Sequence, residues 1–232
     1  MALRLPPLTE KAAVVEAMFD RIAPRYDLLN RLLTLRLDQR WRRVLVRQVG
    51  IGRDDLVVDL GCGTGDLCAL AAAAGARVIG VDSAARMLVE ARRCGLLAPL
   101  VRADAGILPL PQATASVVVS AFALRNFVSI PQVLSEAARV LRPGGRLALL
   151  EVDEPSGRVT RWGHELYFRR LVPFIGGLLS DRAAYAYLPQ STAYLPPAPQ
   201  LLGLVNEAGF RAVRKHPLSG GIAQLIVAIR QH

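Results

Sequence analysis

The chain has 232 residues and 52% hydrophobic content, with 29 Lys or Arg against 19 Asp or Glu for a formal charge of +10. At roughly 150 residues per domain this excludes a string of modules, and the apolar share excludes general disorder. No apolar run approaches the ~18 residues of a spanning helix, and no apolar signal segment precedes the N-terminal prolines. Cys62, Cys68, Cys94 and the scattered His164, His216 and His232 have no metal-ligand spacing, so a cytosolic protein with reduced thiols and no metal is expected.

The charge is segregated along the chain. Residues 1–53 carry 11 basic and 5 acidic side chains, net +6; residues 54–155 carry 9 and 11, net −2; residues 156–232 carry 9 and 3, net +6. A basic protein of this kind invites a nucleic-acid reading. However, no aromatic residues interleave with the basic ones as in single-strand binders, and no RNA-binding motif is present, so no nucleic-acid partner is expected.

Residues 10–50 read as helical. Val14, Val15, Met18, Phe19 and Ile22 recur at helical spacing until Pro24 interrupts them; Leu28, Leu29, Leu32 and Leu33 continue, and a further helix over 41–49 ends at Gly50. From Asp54 short apolar strands alternate with helices. Strands are predicted over 56–60, 77–81, 100–101, 116–120 and 146–152, and helices over 66–74, 83–93 and 130–141, with Arg142-Pro-Gly-Gly145 as the turn into the fifth strand. Beyond Pro155, 158–180 looks helical, 185–199 reads as loop and 201–208 as a helix, before two last strands over 210–215 and 222–229. This alternation predicts an α/β, doubly wound, mostly parallel seven-stranded sheet.

The strongest local signal is Val57-Val-Asp-Leu-Gly-Cys-Gly-Thr-Gly-Asp66, a buried strand running into a glycine turn and a helix. Glycines there allow close backbone approach to a ligand. The GxGxG spacing, followed by Thr64 and Asp66, suits a ligand with a positive end better than a pyrophosphate. Asp82 closes the second strand, where a carboxylate can accept from both hydroxyls of a ribose; a helix cap is the other reading for it. Asp104-Ala105 follows the third strand, where the carboxylate can accept from an adenine amino group. All three features fall at C-terminal strand ends, the ligand side of open α/β sheets. The combination resembles the class I S-adenosylmethionine-dependent methyltransferases.

Further segments narrow the resemblance: Phe19-Asp-Arg-Ile-Ala-Pro-Arg-Tyr-Asp-Leu-Leu-Asn30, Trp41-Arg42, Ser120-Ala-Phe-Ala-Leu-Arg-Asn-Phe127, Arg139-Val-Leu-Arg-Pro-Gly-Gly145, Leu149-Leu-Glu151, Tyr185-Ala-Tyr-Leu-Pro-Gln-Ser191, Ala208-Gly-Phe210 and Gly220-Gly-Ile222. Taken in order, they resemble the ubiquinone/menaquinone biosynthesis C-methyltransferase family from about Phe19 to Ile229. Leu35-Arg36-Leu37, Glu151-Val-Asp-Glu-Pro155 and Tyr194-Leu-Pro-Pro197 depart from that family's pattern, the last two on the substrate side.

The resemblance implies a Rossmann-like fold in one structural domain: an N-terminal helical cap on the substrate side (1–53), a cofactor-binding core (54–155), and a helical and loop cap insertion plus the last two strands (156–232). It implies S-adenosyl-L-methionine as cofactor, held by Asp59, Gly61, Gly63, Thr64, Gly65, Asp82, Asp104, Ala105 and Ser120. The implied reaction is methyl transfer to a ring carbon of a polyprenylated quinol, foremost demethylmenaquinol, with another small lipid-like or secondary-metabolite acceptor as the alternative. Arg125 and Asn126 are the candidate catalytic pair. Arg125 stays protonated and is no ordinary base, so it is expected to stabilise a phenolate or hold a water; a structural ion pair with Glu151 is the competing role. Tyr26, Asp27, Asn30, Tyr185, Tyr187 and Ser191 are the candidate substrate lid, although the two later tyrosines equally suit packing of a loop. Phe122 suits either a ligand ring or the core. With a prenylated substrate, the basic flanks read as attraction to an anionic membrane surface from the cytoplasmic side, and a homodimer is compatible with the sequence.

Overall fold

The computed structural model describes residues 6–153, 187 and 190–231. The expected cap helix over 158–180, His164 and Tyr185 lie outside these residues. The strands are β1 (Leu56–Leu60), β2 (Arg77–Asp82), β3 (Leu100–Arg102), β4 (Ala115–Ala121), β5 (Leu141–Val152), β6 (Phe210–Leu218) and β7 (Ala223–Arg230). They form one sheet in the order β3-β2-β1-β4-β5-β7-β6. The pairs β3–β2, β2–β1, β1–β4 and β4–β5 are parallel, whereas β7 runs antiparallel to both β5 and β6. The seven-stranded, mostly parallel α/β sheet is therefore as the sequence predicts.

Alternation along the central strands builds two cores. Val57, Val117, Val119, Ala148 and Leu150 pack with Trp41, Leu45, Val46 and Val49 of α2 (Leu37–Val49) and with Leu67, Cys68 and Ala71 of α3 (Asp66–Ala73). Their sequence neighbours Val58, Val118, Leu147 and Leu149 face the other way, against Val133, Leu134 and Ala137 of α5 (Ile130–Val140) and Leu201 and Val205 of α6 (Ala198–Glu207). Successive side chains point to opposite faces, so a strand buried on both sides is mostly apolar, as β4 is with Val117, Val118 and Val119 between Ser116 and Ser120. A third cluster joins Val15, Met18, Ile22 and Leu29 of α1 (Leu8–Leu33) to Met87 of α4 (Ala85–Arg93) and to Tyr187.

Three expectations are corrected. Pro24 does not interrupt the first helix: α1 is continuous from Leu8 to Leu33 with Pro24 inside. Pro24 offers no N–H to the Asp20 carbonyl, but apolar residues buried on both sides of it, Met18 and Ile22 before, Leu29 and Leu33 after, hold the helix to one surface. The fourth helix begins at Ala85, not at residue 83, because the Asp82 carboxylate accepts the Ala84 N–H at 2.9 Å and holds the chain extended up to that cap. Arg142-Pro-Gly-Gly145 lies within β5 as a bulge, since Ala115 faces Leu141 while Val117 faces Arg146.

Candidate functional site

Two cavities meet at the glycine turn, on the C-terminal side of the parallel strands. Gly61, Gly63 and Gly65 all adopt positive φ, at 68°, 55° and 87°. A Cβ on Gly61 would lie 2.5 Å from the Ala123 Cβ, so that glycine lets the loop approach the end of β4. A Cβ on Gly63 would meet nothing within 4 Å and would project into open space beside the cavities. A Cβ on Gly65 would collide with Leu96, which makes Gly65 a packing residue; it lines neither cavity.

The larger cavity, of about 360 Å³, is lined by Gly61, Gly63, Asp82, Asp104 and Ala105 on the sheet side. Phe19 and Tyr26 of α1, with Phe122 and Asn126 after β4, form the opposite wall. Asp82 Oδ2 accepts the Gly63 N–H at 2.8 Å and Oδ1 accepts the Ala84 N–H, which fixes this carboxylate where it lines the cavity. Burial pushes its pKa up. Asp104 Oδ1 accepts the Gly106 N–H at 2.6 Å, which fixes this exposed carboxylate at the cavity wall. Phe122 holds the left-handed backbone, φ 61°, packs on Trp41 with ring centroids 6.0 Å apart, and also lines the cavity. An aromatic residue in that region is strained, a feature concentrated at functional sites.

The smaller cavity is lined by Tyr26, Arg42, Asp59, Thr64 and Asp66 around Gly61 and Gly63. Asp59 is buried, accepts from the Cys68 thiol at 3.2 Å, and is pushed up to about 7 by desolvation. Arg42 is the one basic residue lining this cavity among the described residues. Its Nη1 donates to Asp38 at 2.8 Å and its guanidinium lies 5.1 Å from the Phe122 ring. Asp27 accepts from the Thr64 hydroxyl, tying α1 to the glycine turn, and desolvation raises its pKa. Asn30 hydrogen-bonds the Tyr26 side chain, whose pKa burial also raises.

The structure separates Ser120 and Arg125 from the cavities. Ser120 donates to the Leu60 carbonyl at 2.7 Å, a cross-strand bond, and lines neither cavity. Arg125 is buried in an ion pair with Glu151, whose Oε2 also accepts the Arg125 N–H at 3.3 Å; Arg125 Nε donates to Ser191 at 3.1 Å. Asn126, its neighbour on the 3₁₀ turn Leu124–Asn126, does reach the larger cavity, and its Oδ1 accepts from the Tyr187 hydroxyl at 3.4 Å. Tyr187 and Ser191 thus brace the Arg125–Asn126 turn from behind, and burial pushes Tyr187 up to about 12.

Arg42 entered the sequence reading only within the Trp41-Arg42 segment, with no role at the site, and Lys11 did not enter it. Position 42 shares the spacing of Asp38, Trp41, Leu45, Val46 and Val49, the buried face of α2, so a basic residue on an apolar face was the available signal. Lys11 is buried on α1, with Nζ 2.6 Å from the Phe127 carbonyl oxygen and 3.8 Å from the centre of the Tyr194 ring.

These residues fit S-adenosylmethionine. The smaller cavity pairs one guanidinium with carboxylates, which matches an amino-acid zwitterion and not a diphosphate. The larger one presents carboxylate acceptors at the ends of β2 and after β3, as a ribose and an adenine amino group require.

Comparison with known proteins agrees. Residues 8–230 match the model of the ubiE/COQ5 methyltransferase family. The chain is 42% identical over 219 residues to the ubiquinone/menaquinone biosynthesis C-methyltransferase UbiE of Syntrophotalea carbinolica, covering 92% of both chains. It is also 42% identical over 220 residues to a demethylmenaquinone methyltransferase of Thermus thermophilus, covering 92% of this chain and all of that one (100%). Among solved structures, a SAM-dependent methyltransferase from Thermotoga maritima superposes with a TM-score of 0.62 at 18% identity, over 94% of this chain and 100% of that one, a likeness of fold. With the glycine turn, the strand-end carboxylates and the Arg125–Asn126 turn assembled around one site, and the match running from one end of the sheet to the other, the chain belongs to the ubiE/COQ5 methyltransferase family.

Proposed function

We propose that the protein transfers a methyl group from S-adenosylmethionine to a ring carbon of a polyprenylated quinol, foremost demethylmenaquinol. The observation that carries this reading is the placement of Asp59, Asp82 and Asp104 at or just after the ends of three adjacent strands around one glycine turn, opening onto Asn126. Two relatives bear names that state the same chemistry for themselves.

In this reading the cofactor supplies an electrophilic sulfonium methyl. The chain's task is then alignment and activation of the ring carbon. Arg42 holds the amino-acid carboxylate, Asp59 and Asp66 face the ammonium, Asp82 accepts from the ribose, and Asp104 with Ala105 seats the adenine. Phe19, Tyr26 and Phe122 form an apolar wall for the quinol ring. The Asn126 amide, braced through its oxygen by Tyr187, offers its NH₂ to the ring hydroxyl. Loss of the hydroxyl proton pushes electron density onto the ortho carbon, so donors aimed at the oxygen lower the barrier. Arg125, paired with Glu151 through Nη1 and donating Nε to Ser191, fixes the turn that presents Asn126, and the ring hydroxyl's proton passes to water.

Deleting the gene in its host tests the reading. Accumulation of demethylmenaquinone, reversed by the wild-type chain and not by an Asp82→Ala variant, is the expected outcome. An unchanged quinone pool would overturn it.

A further inference from the structure

We propose that the outer face of the last turns of α1, the turn after it and α2 form a docking surface for an anionic lipid bilayer. The purpose of this surface rests on the polyprenylated substrate proposed above, but the observations are independent of the site. Leu28, Leu32 and Leu35 are 69%, 48% and 77% exposed, and the first two stand one helical turn apart on α1. Leu35 follows in the connecting turn with a left-handed backbone, φ 51°, and Arg36 beside it shares that region at φ 62°. Left-handed conformation costs a non-glycine residue roughly 1–2 kcal/mol, and an exposed leucine recovers none of it by burial within the fold. A leucine kept where glycine is favoured, exposed among the described residues, suits contact with an apolar medium.

The apolar edge ends where a basic one begins. Arg36, Arg40, Arg43 and Arg47 are all exposed and recur at intervals of 4, 3 and 4, so they line one side of α2, opposite Trp41, Leu45, Val46 and Val49. No carboxylate among the described residues pairs with any of the four. Arg31, by contrast, is bound to Asp66 and Asp27 at 3.1 and 3.6 Å and stands outside the stripe. An aliphatic edge beside unpaired guanidinium groups complements the acyl boundary and the anionic headgroups of a bilayer; RNA would have no use for the leucines. The inner faces of the same two helices, through Phe19, Tyr26 and Arg42, line the cavities. Docking through the outer face holds that wall of the site against the layer in which a prenyl tail resides.

Flotation of the full chain with phosphatidylglycerol/phosphatidylcholine vesicles, against phosphatidylcholine alone, tests this. Tighter binding to the anionic vesicles, weakening as salt is raised, is expected. Each arginine near the surface contributes about fivefold, so R40Q/R43Q should reduce anionic-vesicle affinity roughly 25-fold. L28S/L32S should lower binding to both vesicle types by at least ~10-fold. Leu35→Gly serves as the folding control: it relieves the left-handed strain, so its melting temperature should hold or rise while vesicle binding falls. All three variants should keep wild-type cofactor binding and methylation of a short-chain soluble quinol. Binding indifferent to lipid charge and salt, unchanged binding by the variants, or a preference for RNA over vesicles at the same ionic strength would overturn the proposal. Failure of the wild-type chain to methylate the soluble quinol would instead count against the activity proposed above.

Discussion

Asp59 and Arg42 set the chemistry of the cofactor's amino-acid end. Burial holds Asp59 at about 7, above the ordinary 3.8, so the folded chain without ligand keeps a proton that the unfolded chain has released. Stability from this group is full below about pH 4, falls as the pH rises to about 7, and is level beyond. Asp59→Asn should remove that slope, measured by urea melts at pH 5 and pH 8. A cation bound beside Asp59 favours its ionised form, so S-adenosylmethionine should bind more tightly at pH 8 than at pH 6, with proton release detectable by calorimetry in two buffers. Arg42→Gln should weaken S-adenosylmethionine at least ~10-fold while leaving decarboxylated S-adenosylmethionine unaffected, since a charged hydrogen bond contributes about 1.5–3 kcal/mol. Equal losses for both ligands would make Arg42 a mere support for Asp38. Gly63→Ala should cost roughly 1–2 kcal/mol of stability through its φ of 55° but abolish cofactor binding, because the added methyl enters open space beside the site. For Arg125, Ala would leave Glu151 buried and unpaired, at about 3–5 kcal/mol, whereas Lys retains a charge but loses the fork. Arg125→Lys should keep S-adenosylhomocysteine affinity and lose turnover ~100-fold. The glycines and strand-end carboxylates were legible because their types and spacing carry the chemistry. Ser120 was not: only its burial against the Leu60 carbonyl reveals a hydroxyl committed to the sheet.

Between elements, the 26-residue α1 is fastened to the site at several points. Thr64 donates to Asp27, Asp20 accepts the Arg86 N–H at 2.8 Å, and Arg102 pairs with Glu16 at 2.7 Å across the rim of the larger cavity. Near its start, Lys11 reaches the Phe127 carbonyl beneath Tyr194, whose hydroxyl donates to the Pro6 carbonyl at 2.6 Å. No carboxylate among the described residues offsets the Lys11 charge, and desolvation lowers its pKa to about 8 from 10.5. The unfolded chain therefore binds the extra proton between those values, and this group's contribution to stability rises as the pH climbs from about 8 to 10.5. Lys11→Met should flatten that rise, read as melting temperature at pH 7.5 and pH 10. Periodicity located every described strand, because burial on both faces leaves continuous apolar runs such as Val117, Val118 and Val119 in β4. It failed at Pro24 and at residues 142–145, where tertiary packing overrides local signals: apolar contacts on both sides of the proline in one case, and a bulge bridged by the β4 register in the other.

The whole molecule places opposite demands on its two sides. The sheet's C-terminal edge gathers carboxylates for a cationic cofactor, which accounts for the net acidity of residues 54–155, while the N-terminal helices carry basic charge outward. No helix among the described residues is long and apolar enough to cross a membrane. That division explains how a chain with a charge of +10 can bind a cation: the field of the site is set locally, within a Debye length of about 8 Å, and not by the total. The most direct measurement incubates the purified chain with methyl-labelled S-adenosylmethionine and a short-chain demethylmenaquinol, and locates the label by NMR. Label on the ring carbon next to a hydroxyl, abolished by Asp82→Ala and reduced at least ~100-fold by Asn126→Leu, is expected. Label on the oxygen, or no transfer by a chain that binds the cofactor, would contradict C-methylation of a quinol.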